Sequence, residues 1–126
     1  LENRLRFLGH SLLNRMEVFY EYNTAMLAIP YSDLKRFDLQ TGDTEGLVNF
    51  LLSIQGIKMA ALIIDRHSEV KLSFRSKGDF DVNTFARKYF DGGGHFNASD
   101  GRSTDSLEKT VDRFIKAIEE NEELLQ

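Results

Sequence analysis

Residues 57–78, "IKMAALIIDRHSEVKLSFRSKG", decide the fold class. The first nine form a near-continuous apolar run of strand length, the pattern of a strand buried on both faces, and such a strand needs a sheet covered by helices. "RHSE" then makes a turn, and in the stretch that follows Val70, Leu72 and Phe74 alternate with Lys71, Ser73 and Arg75. That period of two describes a second strand with one apolar and one polar face, Arg75 lying on the polar side.

Working outward, "DFDVNTFARKYF" (79–90) offers Asp81 as an N-cap and sets Val82, Phe85, Ala86 and Tyr89 on one helical face. Three glycines end that helix, and "HFNAS" (95–99) begins one more extended segment. A last helix from about Thr104 carries Leu107, Val111, Phe114, Ile115 and Ile118 on one side. Its acidic end opposes the helix dipole, so fraying is expected there. Upstream of the central strand, "TEGLVNFLLSIQG" (44–56) reads as a helix that starts near Asp43 or Thr44 and stops at Gly56. "VFYEYNTAMLAIP" (18–30) reads as two strands turning at Asn23 and Thr24 and closed by Pro30, with Ser32 as N-cap of a short helix. In residues 1–16, Leu1, Leu5, Leu8, Leu12 and Met16 make an amphipathic helical stripe, in which Gly9 costs about 1 kcal/mol of propensity. This order of elements predicts an α/β domain: a mixed β-sheet with flanking helices.

The 126 residues are one domain's worth of chain. No cysteine is present, which excludes disulfides and thiolate zinc sites and favours a reducing compartment. No apolar stretch approaches the roughly 20 residues of a membrane span. A cytoplasmic location with no membrane partner is therefore expected. The first residue is Leu1 rather than methionine, and we expect the sequence to be a piece of a longer polypeptide. The net charge of −4 comes from residues 105–126, where Asp105, Glu108, Asp112, Glu119, Glu120, Glu122 and Glu123 outnumber Lys109, Arg113 and Lys116. Such a balance argues against broad nonspecific nucleic-acid binding and leaves room for a small anionic ligand in a local pocket.

Candidate site residues gather around the glycine run. One glycine after a helix is an ordinary left-handed cap; three in series call for positive φ angles or for backbone that approaches a ligand with no Cβ between. Successive N–H groups in such a turn can form an anion-binding nest. His95, directly after Gly92, Gly93 and Gly94, could hydrogen-bond a phosphate or base edge, carry a proton, or only cap a turn. Arg75 could fork onto a phosphate or pair with Asp79 or Asp81. Lys77, Arg87, Lys88 and Arg102 add positive charge and read first as solvated. The glycines follow a helix, so they are not the dinucleotide fingerprint that opens one. The other histidines, His10 and His67, lie far away in sequence and no cluster has metal-ligand spacing.

The stretch "VKLSFRSKGDFDVNTFARKYFDGGGHFNASDGRS" (70–103) resembles the C-terminal DHH-associated substrate-binding domain of DHH-family phosphoesterases, in particular the oligoribonuclease and pAp-phosphatase (nanoRNase) branch. "DTEGLVNFLLSIQGIKMAALI" (43–63) is similar to the segment that precedes it there, so the resemblance runs from about Val18 to Ser103. It implies that Gly92, Gly93, Gly94 and His95 bind the end of a nucleotide substrate farther from the metals, that Arg75 contacts the same portion, and that Asn97 and Ser99 line the pocket. Asp100 departs from the family's small residues and brings a carboxylate near the pocket.

In that family, catalysis resembles two-metal phosphoester hydrolysis, with manganese held by aspartates and histidines of a separate N-terminal domain. The Asp-His-His motif of that domain occurs nowhere in residues 1–126, so no catalytic residue or metal ligand is assigned here and the chain is expected not to hydrolyse on its own. The implied partners are a short RNA or nucleotide substrate and the N-terminal catalytic domain of the same polypeptide, with a homodimer as a further candidate assembly. Residues 1–16 would end an interdomain linker helix, and 17–126 would form the substrate-binding domain. Two other classes stay open: a nucleic-acid-binding module without hydrolytic activity, as in the C-terminal region of alanyl-tRNA synthetases, and a small-ligand sensor.

Overall fold

The computed structural model describes residues 1–40 and 42–126. Its centre is β3 (Met59–Asp65), buried along its length up to the half-buried Asp65. β3 turns at 66–69 into β4 (Val70–Ser76), paired antiparallel from Met59↔Ser76 to Asp65↔Val70. On its other side β3 runs parallel to β2 (Thr24–Ile29), which is antiparallel to β1 (Met16–Phe19). Beyond β4 lie β6 (Ala98–Ser103) and then β5 (Gly93–His95). Among the described residues the strands form one six-stranded sheet of order β1-β2-β3-β4-β6-β5, in which β2 and β3 make the parallel pair. The mixed α/β sheet expected from the sequence is thus the one observed. A parallel pair needs a crossover, and α2 (Tyr31–Arg36) and α3 (Leu47–Leu52) supply it.

The alternation of β3 sends Met59, Ala61 and Ile63 into one core and Ala60, Leu62 and Ile64 into another. The first core lies beneath α4 (Val82–Tyr89) and α5 (Leu107–Glu120) and is aromatic. Phe74 meets Phe85 edge-on at 5.4 Å, Phe90 at 5.5 Å and Phe114 stacked at 6.2 Å. At the start of each of these helices a side-chain oxygen satisfies backbone amides that have no partner within the helix. Asp81 accepts from the amides of Asn83 and Thr84, and Ser106 from that of Lys109. The hydroxyl and then the amide of Thr84 hold the Asp81 carboxyl below its ordinary value. The second core packs β2 and β3 against Leu47, Val48 and Leu51 of α3 and against Phe7 of α1 (Glu2–His10).

Four local expectations are corrected. The helix expected over 1–16 is α-helical only to His10; residues Ser11–Arg15 form a π-helical turn before β1 begins at Met16. A π-turn adds a residue and shifts the helical phase, so the period-3.6 stripe breaks: Leu1 and Leu5 are exposed and Phe7 is buried. Ser32 does not cap α2, which starts at Tyr31 with Pro30 in the cap position. The helix expected over 44–56 shrinks to Leu47–Leu52, since Gly46 adopts a left-handed φ of +82°. The acidic end of α5 is pinned: Leu125 is fully buried, and its carbonyl accepts a 2.7 Å hydrogen bond from the Asn23 side chain.

The early start of α2 carries Asp33 inward. Only 3% exposed, it accepts two hydrogen bonds from Arg15, at 2.9 and 3.0 Å, and lies 3.1 Å from His10 Nε2. Burial pushes its pKa up; the hydrogen bonds and charge of Arg15, with the His10 contact, outweigh burial and leave it below the ordinary carboxylate value. A lowered pKa contributes stability that is complete above the unfolded value of about 3.9 and lost as pH falls through the folded one. Asp33→Asn should cost about 1–3 kcal/mol at neutral pH. In urea melts the gap between parent and variant should close as pH drops below about 4; a gap independent of pH would show that the charge of Asp33 contributes nothing.

Gly92 lies against β6. A Cβ there would collide with the carbonyl oxygen of Asp100 and stand 2.7 Å from Gly101 Cα. Gly9, by contrast, has nothing within 4 Å of the same construction. Gly92→Ala is therefore expected to destabilise by about 1–3 kcal/mol and Gly9→Ala to stabilise by about 0.5–1 kcal/mol, both readable as shifts in the urea midpoint.

Candidate functional site

The two faces of the sheet are covered unequally. Helix α4 packs on β5 and β6 from the aromatic side. On the other side, the second core covers β2 and β3 and its helix α3 reaches over part of β4, while β4, β6 and β5 turn polar or small side chains toward that face. Register sorts those side chains into rows. Arg75 pairs with Ala98, which pairs with His95; Ser73 pairs with Asp100, which pairs with Gly93; Lys71 pairs with Arg102. With strands about 4.8 Å apart, the Cα atoms of Arg75 and His95 stand about 10 Å apart, and only the methyl of Ala98 lies between them.

Arg75 is half-buried, and its Nη1 donates to the Phe74 carbonyl at 3.2 Å. Among the described residues it enters no ion pair; Asp81, one of the partners considered for it, is occupied in capping α4. His95 is exposed, and among the described residues its ring enters no hydrogen bond, although its carbonyl accepts from Ser99 Oγ at 2.7 Å. Two groups able to hydrogen-bond an anion therefore share a row on an uncovered face.

The glycine run works differently from a row of free amides. The Gly92 amide donates to the Ala86 carbonyl at 3.2 Å, closing the end of α4, and the Gly94 amide donates to Asn83 Oδ1 at 2.9 Å. Gly93 and Gly94 each take φ of +156°, outside the range that side-chain-bearing residues favour. A Cβ on Gly94 would stand 2.8 Å from the Ala98 carbonyl oxygen and 2.9 Å from Ser99 Cα. The run is an edge strand pressed onto β6, and its bareness lets that hairpin close.

Of the residues singled out in the sequence, Arg75, Gly93 and His95 come together on the open face, and Gly92 joins its rim. Asn97 and Ser99 are placed elsewhere. Asn97 Nδ2 donates to Ser76 Oγ at 2.9 Å and to the Gly78 carbonyl at 3.2 Å, tying the hairpin tip to the end of β4. Ser99 is 3% exposed and pairs with Phe74, on the aromatic side. Sequence reasoning missed Asn83, whose Oδ1 accepts from both Gly94 and Arg87 Nε, at 2.9 and 3.1 Å. It also missed the joining of Lys71, Ser73, Asp100 and Arg102 around a cleft of about 470 Å³, for which the alternation of β4 was the available signal. Among the described residues no three His, Asp or Glu side chains come together as metal ligands would.

The DHHA1 domain family model matches residues 21–123. Over 99 residues the chain is 33% identical to the bifunctional oligoribonuclease and PAP phosphatase NrnA of Bacillus subtilis (strain 168), covering 79% of this chain and 30% of that protein. A solved structure of an exopolyphosphatase-related protein from Bacteroides fragilis superposes with a TM-score of 0.96 at 38% identity, over 99% of this chain and 36% of that one. The pGpG-specific phosphodiesterase PggH from Vibrio cholerae shares the fold, with a TM-score of 0.66 at 13% identity over 99% of this chain and 41% of that one. The chain thus spans about a third of the length of NrnA and of the exopolyphosphatase-related protein. Because the matched residues run from before β2 to beyond α5, taking in the whole open face, the chain belongs to the DHHA1 domain family of DHH-type hydrolases.

Proposed function

We propose that this domain grips one end of a short oligoribonucleotide, a linear dinucleotide or 3'-phosphoadenosine 5'-phosphate for hydrolysis by a manganese-dependent catalytic domain elsewhere in the same polypeptide. The observation that carries this reading is the row Arg75, Ala98, His95 on the uncovered half of the sheet. A guanidinium presents parallel N–H donors to a phosphate, and the imidazole opposite it can donate to the same anion or meet a base edge. Ala98 and Gly93 leave the floor between them clear. In this reading Gly92, Gly94, Asn97 and Ser99 act through the backbone: they fix the β5–β6 hairpin and so the place of His95, and Asn83 holds Gly94 from the side of α4. The names of the sequence relatives, an oligoribonuclease and PAP phosphatase and an exopolyphosphatase-related protein, support a phosphate-bearing substrate.

Isothermal titration of the chain with 5'-phosphorylated diadenylate tests this. Arg75→Ala should weaken binding about tenfold or more, as loss of a charge-assisted hydrogen bond of about 1.5–3 kcal/mol requires, and His95→Ala should weaken it severalfold without moving the melting temperature. Binding by both variants at parental strength sinks the assignment. Added manganese should yield no hydrolysis by this chain, and chelator-sensitive cleavage would place the metal site within it.

A further inference from the structure

Resting on that reading, we propose that Lys71 and Arg102, with Arg66 beside them, form a second anion subsite that takes a downstream phosphate of a single-stranded oligoribonucleotide. The site would favour oligonucleotides over mononucleotides. Lys71 and Arg102 form the third row of the open face, opposite each other across the β4–β6 ladder, and with Arg66 they line one side of the 470 Å³ cleft. Arg66 donates to Thr44 Oγ1 at 2.9 Å, and the present partners of Lys71 and Arg102 leave those two available. Arg102 lies 3.6 Å from Asp91, with the two side chains 59% and 85% exposed, and Lys71 lies 3.3 Å from Glu69, with 56% and 27%. Exposed pairs at such distances contribute little and exchange readily for another anion.

Spacing and sign select the ligand. Lys71 and Arg75 stand four positions apart on β4, about 13 Å along an extended strand. That distance spans about four nucleotide steps stacked at about 3.4 Å each, so side chains standing upright from the sheet meet different phosphates. Between the two cationic rows stand Ser73, Asp100 and Gly93. The Asp100 carboxylate repels a chain of uninterrupted anions and accepts hydrogen bonds from ribose hydroxyls or base amines. Cations, then a hydrogen-bond acceptor, then cations is the complement of an oligoribonucleotide rather than of inorganic polyphosphate.

The experiment compares 5'-phosphorylated oligoadenylates of two and six nucleotides by fluorescence anisotropy, using the parent chain and the Lys71→Ala/Arg102→Ala double variant. Both positions are exposed on strands, and circular dichroism checks the fold. The parent should bind the six-mer at least tenfold tighter than the two-mer; the double variant should bind both alike, with its two-mer affinity unchanged. Its salt slope for the six-mer should fall by about 1.4, from two lost contacts at about 0.7 each. No length gain in the parent, or a gain that survives in the double variant, overturns the subsite. Linear polyphosphate of matching charge bound as tightly as the six-mer overturns the oligonucleotide assignment. Should the two-mer fail to bind while the six-mer binds and loses affinity in the double variant, the terminal anchor at Arg75 and His95 fails and the second subsite stands.

Discussion

Burial of β3 on both faces is the constraint on which the molecule depends. A strand with apolar side chains pointing both ways cannot rest on a one-sided core, so the sheet must be covered above and below at its centre. Met59, Ala61 and Ile63 answer to α4 and α5; Ala60, Leu62 and Ile64 answer to α1 and α3. Neighbours of β3 need less. From β4 outward the second face becomes polar, and the covering layer ends where α3 reaches over β4. The open polar face is what remains where the demand for cover ends.

This dependence explains how much could be read from the chain. The central run, the alternation of β4, the cap at Asp81 and the apolar face of α5 are local patterns, and all are present in the fold. That Lys71, Ser73 and Arg75 share a face follows from the pleat. That Arg102, Asp100 and Ala98 stand beside them does not, because strand order is a long-range property: β6 lies between β4 and β5, so the hairpin folds back rather than continuing outward. The π-turn at Ser11–Arg15 was equally hidden, since a single extra residue alters the phase without altering composition.

The glycines show how one residue pattern can serve two purposes. Bare backbone suggested approach by a ligand, and close approach is found, but by the chain's own β6. The amides of Gly92 and Gly94 are bound to Ala86 and Asn83, which makes the run rigid instead of receptive. His95 is displayed by a hairpin whose tightness the glycines permit. Asp100, an oddity within the sequence motif, stands between the row of Arg75 and the row of Lys71 and Arg102.

The clasp between Asn23 and Leu125 bears on how the protein is made. Leu125 fills the aromatic core beside Phe114 and Ile118 and ties to a residue 102 positions earlier. During synthesis, the part of that core filled by Leu125 can close only after residue 125 has left the ribosome. Vectorial folding from the first helix onward therefore cannot finish before the segment after α5 has emerged to meet Asn23.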